Sequence, residues 1–218
     1  MRSVGHIRTT YWTPCVLLAL GLVACVSPGT DTDPHGNESE VISRVDLTFS
    51  AHDGSTPIVA SFEDPDGDGG MSGVSDDIVL ALDMNYTLDV RLFNSLVDPS
   101  VELTDEVREE AQEHFLFVFG DGVSGPASIS GSALVTHSYA DLESDYSDEG
   151  SDEDLPVGLV NTIAANGSGE AELRVMLRHL PELNGTAQKT ADLPSELAGG
   201  ASLPGDADLD VTFNLRVQ

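Results

Sequence analysis

Cysteine, basic charge and large aromatics are all scarce in this 218-residue chain. Two cysteines, Cys15 and Cys25, cannot build a disulfide-rich scaffold or a cysteine-based zinc cluster. Nine Lys and Arg face 38 Asp and Glu, a formal charge of −29, and Lys189 is the single lysine. So acidic a chain excludes binding to nucleic-acid phosphates and attraction to anionic lipid headgroups, since both need clustered bases. Aromatics make up 6%, and the one tryptophan, Trp12, lies near the start, far from any stacking platform for sugars. No apolar run approaches the roughly 20 residues of a membrane-crossing helix. Gly-x-Ser-x-Gly, a Walker loop and a dinucleotide fingerprint are all missing. Carboxylate pairs suited to glycoside hydrolysis are too numerous among 38 acids for any one pair to signal an envelope hydrolase.

What the chain does have begins at its N-terminus. Residues 1–24 have the composition of a secretory signal, with Arg2 and Arg8 before the apolar run Val16–Ala24. Leu22-Val23-Ala24-Cys25 resembles the lipobox of bacterial lipoproteins. That resemblance implies cleavage before Cys25, acylation of the cysteine, and a location in the bacterial cell envelope. Val26 rather than Asp follows the cysteine, which in Gram-negative members favours the outer membrane. Several acyl chains on Cys25 would hold the protein to a bilayer stably where one would be marginal. Residues 25–40 are rich in Pro, Gly, Ser, Thr and acids and nearly devoid of apolar side chains, so they read as a flexible tether.

From Val41 onward the dominant pattern is period two. Val45, Leu47 and Phe49 alternate with polar neighbours, as do Ile58, Ala60 and Phe62, then Tyr86, Leu88, Val90 and Leu92. Phe115–Phe119 is a short continuous apolar run, the signature of a strand covered on both faces. Ala133–Tyr139, Leu159–Ala165, Ala171–His179 and Leu209–Val217 complete the strands. Asp83-Met84-Asn85 reads as a tight turn and Asn166–Gly169 as a hairpin loop. Thr104–His114 breaks the period and predicts a short surface helix, capped by Thr104 and turning Val107 and Ala111 to the core. These elements predict an all-β fold: an antiparallel β-sandwich over 41–218, immunoglobulin-like in style, of about nine strands and one short helix. Asp141–Asp154, with eight acids and no base, is expected as an extended loop, and 183–206 as an irregular connection.

The domain resembles a group of uncharacterised bacterial envelope lipoproteins. The matching pieces are Ile42–Phe49, Phe62–Gly70, the Thr104–His114 helix entering an aromatic strand, Leu177-Arg178-His179-Leu180-Pro181 and Asp208–Asn214. Members are sometimes labelled "type 1 periplasmic binding fold", a name that implies alternating α/β structure. The periodicity contradicts that label. The resemblance implies an envelope location and brings no catalytic residues with it.

Two constellations carry chemistry. Asp64-Pro-Asp66-Gly-Asp68-Gly places carboxylates at alternate positions before a glycine, as in the first half of a calcium loop. The Glu expected at the twelfth position is Ser75, so a calcium site here needs Asp76 or Asp77 to complete it. The same residues also suit a plain Asp/Gly turn between strands. The second constellation is histidine: Glu110 and His114 lie four apart, and His114 and His179 border strands, so a mixed His/carboxylate site for a transition metal forms if those strands are neighbours. The reading that follows is a lipid-anchored binding or accessory module without catalytic activity, facing an envelope protein as partner, with calcium in the Asp64 loop as one option beside the plain turn. Its first rival is a metal-handling lipoprotein that serves an outer-membrane receptor, and its second, with the least support, is an envelope hydrolase.

Overall fold

The computed structural model describes residues 41–67, 73–146 and 153–218; the expected signal, Cys25 and the tether lie outside them, as does Asp68. The first half carries β1 (Arg44–Ala51), β2 (Ile58–Glu63), β3 (Val74–Ser75), β4 (Ile78–Leu80), β5 (Asn85–Asn94) and β6 (Val101–Glu102). After them come α1 (Thr104–Glu109), β7 (His114–Phe119), β8 (Val123–Ser124), β9 (Val135–Tyr139) and β10 (Val160–Ala165). The last third holds β11 (Gly169–His179), α2 (Leu193–Ala198) and β12 (Asp206–Val217).

The expected all-β sandwich is the observed architecture. One sheet runs β3-β2-β1-β5-β10-β9-β8, with β6 beside β5, and the other runs β4-β12-β11-β7. Alternation fixes which side faces in. Val45, Leu47 and Phe49 of β1 and Leu88, Val90 and Leu92 of β5 are buried, and they meet Val175, Leu177, Val211, Phe213 and Leu215 of the second sheet in one core. Each such side chain contributes about 1.5–3 kcal/mol by leaving water.

Several local expectations give way. The sheets are mostly but not wholly antiparallel, because β4 pairs with β12 and β8 with β9 in parallel. There are twelve strands rather than about nine among the described residues, the additions being segments of two or three residues with no periodicity to read. Asn166–Gly169 is no hairpin: β10 lies in the first sheet and β11 in the second, so this turn carries the chain across the sandwich. Asp83, by contrast, adopts φ 61°, as a tight turn requires.

The helix is shorter than its sequence pattern suggests. It ends at Glu109, and His114 opens β7. Thr104 is no cap: its buried hydroxyl accepts from the Leu92 amide at 2.9 Å and so ties the helix to β5. Val107 and Ala111 do face the core, fully buried.

The run Phe115–Phe119 is covered on both faces, as its composition suggests. Leu116 and Val118 join the main core, while Phe115 and Phe117 form a second cluster with Ala127, Met176, Leu180 and Leu193. Leu193 comes from α2, a helix inside the stretch expected to be irregular. The acidic segment is described only at 141–146 and 153–154, and there its side chains are tied to the fold. Asp141 is buried and accepts backbone amides of Gly158 and Leu159, both at 2.8 Å. Asp154 accepts from the Ser144 amide and hydroxyl, and Glu143 is fully buried. Hydrogen-bond partners, rather than mutual repulsion, set the shape of these described ends.

Candidate metal centre

Strand pairing brings the two histidines together. In the β7–β11 ladder His114 is the register partner of His179, at the end of both strands. Their side chains project to the same face, and the rings stack with centroids 4.8 Å apart and planes 8° from parallel. The turn between α1 and β7 then returns Glu110 over His114. Its Oε2 lies 3.9 Å from His114 Nδ1, and the same nitrogen donates to the Glu110 carbonyl oxygen at 3.3 Å. The pairing expected from helical i, i+4 spacing is therefore present, but a turn makes it.

Glu110, His114 and His179 each offer one ligand atom, all within 4.8 Å of one another. Two further carboxylates border them. Glu113 Oε2 stands 3.6 Å from His179 Nε2, and Asp208 Oδ2 stands 4.0 Å from His114 Nε2. Asp208 reaches this position through an irregularity. The β11–β12 register shifts between Leu177 and Arg178: Leu177 pairs with Leu209, but Arg178 pairs with Ala207. Asp208 is the extra residue of the resulting bulge. The shift turns its side chain inward, where it is 1% exposed.

Burial dominates the electrostatics. The His114 imidazole is pushed down to about 4, first by loss of water and then by the nearby His179 and Lys189 charges, against the opposing pull of the Glu110 carbonyl. At neutral pH it is uncharged. Lys189 lies close by: its ammonium donates to the Ala111 carbonyl oxygen at 2.7 Å and pairs with Glu143 at 2.8 Å. Burial lowers its proton affinity, with Glu143 opposing. A cleft of about 270 Å³ opens beside these groups, lined by Gln112, Glu113, Glu143, Glu182 and Lys189 among others.

Elsewhere the bases are spent. Among the described residues Arg44, Arg91, Arg108, Arg174 and Arg216 each pair with a carboxylate, and Arg178 donates to the carbonyl oxygens of Leu203, Pro204 and Gly205. No basic patch remains for a nucleic acid among them.

The described residues of the sequence's calcium loop make hydrogen bonds of their own. Asp64 is buried, and its Oδ1 accepts the amides of Asp66 and Gly67 at 3.3 and 3.0 Å, which closes a turn. Asp76 accepts the Ser61 amide at 3.0 Å, and Asp77 accepts from Asn214. Asp68, the third carboxylate of the motif, lies outside the described residues. The sequence reading missed Glu113, Asp208 and the Lys189–Glu143 pair. Only the solitary lysine stood out in composition; nothing marked the two carboxylates among so many.

No family model, curated protein or solved structure matches this chain.

Proposed function

We propose that the chain is a lipid-anchored envelope module without catalytic activity that holds one transition-metal ion, Zn²⁺ or Cu²⁺, at the paired ends of β7 and β11. The observation that carries this reading is the Glu110–His114–His179 cluster, whose ligand atoms lie within 4.8 Å of one another. Two imidazoles and a carboxylate suit zinc or copper, whereas calcium takes oxygen ligands alone. The buried, neutral His114 supports it further, because a metal needs an imidazole lone pair and the uncharged ring keeps one at neutral pH.

The stacking of the two rings limits how they could share an ion. A metal lies close to the plane of each imidazole that binds it, and two planes 8° apart cannot share one ion. Loading therefore requires one ring to turn about its terminal torsion, which is soft for histidine. His179 is the more exposed of the two rings and so the one to turn. The cleft adjoins the cluster through Glu113, which stands 3.6 Å from His179, and its three carboxylates against one ammonium favour a cation. Three protein ligands rather than four suit an ion that is taken up and passed on, rather than one that only holds a fold together. Anchoring through Cys25 and reach through 25–40 would present the site to an envelope partner such as an outer-membrane receptor.

Elemental analysis of the metal-stripped protein after incubation with Zn²⁺ tests the reading. One equivalent retained through gel filtration supports it, and none retained removes it. Mass spectrometry of material from the native host tests the anchor: an acylated Cys25 is expected, and an intact leader removes it. The calcium reading of Asp64, Asp66, Asp68 and Asp76 has its own test. Millimolar Ca²⁺ must raise the unfolding midpoint if the loop binds it in the folded state alone, and an unchanged midpoint removes that site.

A further inference from the structure

The two nitrogens of His114 face different carboxylates, which gives each a distinct task. Glu110 Oε2 approaches Nδ1 at 3.9 Å, and Asp208 Oδ2 approaches Nε2 at 4.0 Å. Glu110 belongs to the cluster that can close around one ion, and Asp208 does not. Resting on the metal-centre reading above, we propose that the metal binds His114 through Nδ1 and that Asp208 is the positioning residue, holding the imidazole by accepting a hydrogen bond from Nε2–H.

Three observations meet in this assignment. Nδ1–H donates to the Glu110 carbonyl oxygen at 3.3 Å, so the proton sits on the nitrogen that faces Glu110. Binding through Nδ1 moves that proton to Nε2, with no net gain or loss by the ring. The displaced proton then needs an acceptor in a place closed to water, since His114 is fully buried. Asp208 is the carboxylate at that position, its side chain 1% exposed.

The bulge supplies the reason it is there. Without the register shift beside Leu177, strict alternation would turn Asp208 to the opposite face of β12 from Leu209. The bulge instead buries both, and so turns a carboxylate inward across β11 toward a ring on β7. A carboxylate behind a metal-bound histidine fixes its tautomer and raises its basicity, and losing one typically costs 10–100-fold in metal affinity.

The test pairs a variant with a spectroscopic signature. Asp208→Asn, nearly the same shape, should bind Zn²⁺ about 10–100-fold more weakly than the unaltered protein in a competitive chelator titration. Independently, ¹⁵N spectra of the histidine side chains of the unaltered protein should show His114 protonated on Nδ1 without metal, and ligated on Nδ1 with a proton on Nε2 when Zn²⁺ is added. Ligation through Nε2, or equal affinity in Asp208→Asn, overturns the role given to Asp208 while the metal centre stands. Absence of Zn²⁺ binding by the unaltered protein overturns both. The spectra need no variant, so a misfolded Asp208→Asn leaves the assignment open to refutation.

Discussion

Lys189 Nζ lies 2.8 Å from Glu143 Oε1, with both side chains at 1% exposure or less. The same nitrogen donates to the Ala111 carbonyl oxygen and sits 5.1 Å from the centre of the Phe115 ring. The one lysine of the chain thus joins the acidic segment to the turn that presents Glu110. Its absence should be felt in stability before anything else. Lys189→Met leaves a buried carboxylate without its countercharge and is expected to lower the free energy of unfolding by about 3–5 kcal/mol, read from urea denaturation. Lys189→Met with Glu143→Leu should recover most of that loss, because a dry apolar pair carries no desolvation cost. A double variant as unstable as the single one would show that the pair does more than neutralise itself.

Acid sensitivity follows from two buried imidazoles. His114 is held at about 4 and His137 below its ordinary value, in both cases mainly by burial; His137 keeps a hydrogen bond to Asn161 Oδ1 at 2.8 Å. The unfolded chain titrates these rings near 6.5, so between about 6.5 and 4 it binds more protons than the fold does. Their contribution is complete above pH 6.5 and is lost as the pH falls toward 4. For His114 alone the loss is about 3 kcal/mol. In metal-free protein the midpoint for urea unfolding should therefore drop across this window, and more steeply than in His114→Gln. Parallel curves for the two proteins would contradict the neutral, buried His114.

A third consequence concerns the backbone beside the site. Gly205 adopts φ +67°, and a Cβ there would fall 2.0 Å from the His179 carbonyl oxygen. Arg178 holds the same stretch down by donating to the carbonyl oxygens of Leu203, Pro204 and Gly205. Neither backbone has room to yield without parting β11 from the start of β12. Gly205→Ala should cost several kcal/mol, on the scale of overpacking plus left-handed strain (about 1–3 kcal/mol each). It should also weaken Zn²⁺ binding by displacing His179. A variant with native stability and native metal affinity would refute the close packing.

Much of the fold is written in the chain as alternation. Leu209, Val211, Phe213, Leu215 and Val217 announce an inward face, and all five are buried. Phe115–Phe119 likewise announces a strand covered twice. What alternation cannot announce is a bulge: by parity Asp208 points away from Leu209, and only the shifted register turns it inward. Nor does sequence report which strands are neighbours. His114 and His179 were legible as border residues, but their stacking depends on β7 closing the edge of the second sheet against β11. The acidic segment misleads for a related reason. Its charge density argues for extension, yet at Asp141 and Glu143 the amides of Gly158 and Leu159 and, over thirty residues away in the chain, Lys189 supply partners.

The metal ligands should separate by severity. His179 is nearly buried at a strand end, and His179→Ala removes a ligand without opening the main core, so the variant should fold and lose Zn²⁺ affinity by more than about 100-fold, beyond the range for an outer carboxylate. Glu110→Gln retains an oxygen that can still coordinate, without its charge, and should lose less. Glu113→Gln sits on the cleft wall facing His179 but outside the cluster of three, so its effect should fall on the rate of metal entry rather than on affinity. Stopped-flow competition with a coloured chelator reads both quantities from one trace. If Glu113→Gln lowered affinity as far as His179→Ala does, the coordinating carboxylate would be Glu113, and the ion would sit nearer the cleft than the turn around Glu110 allows.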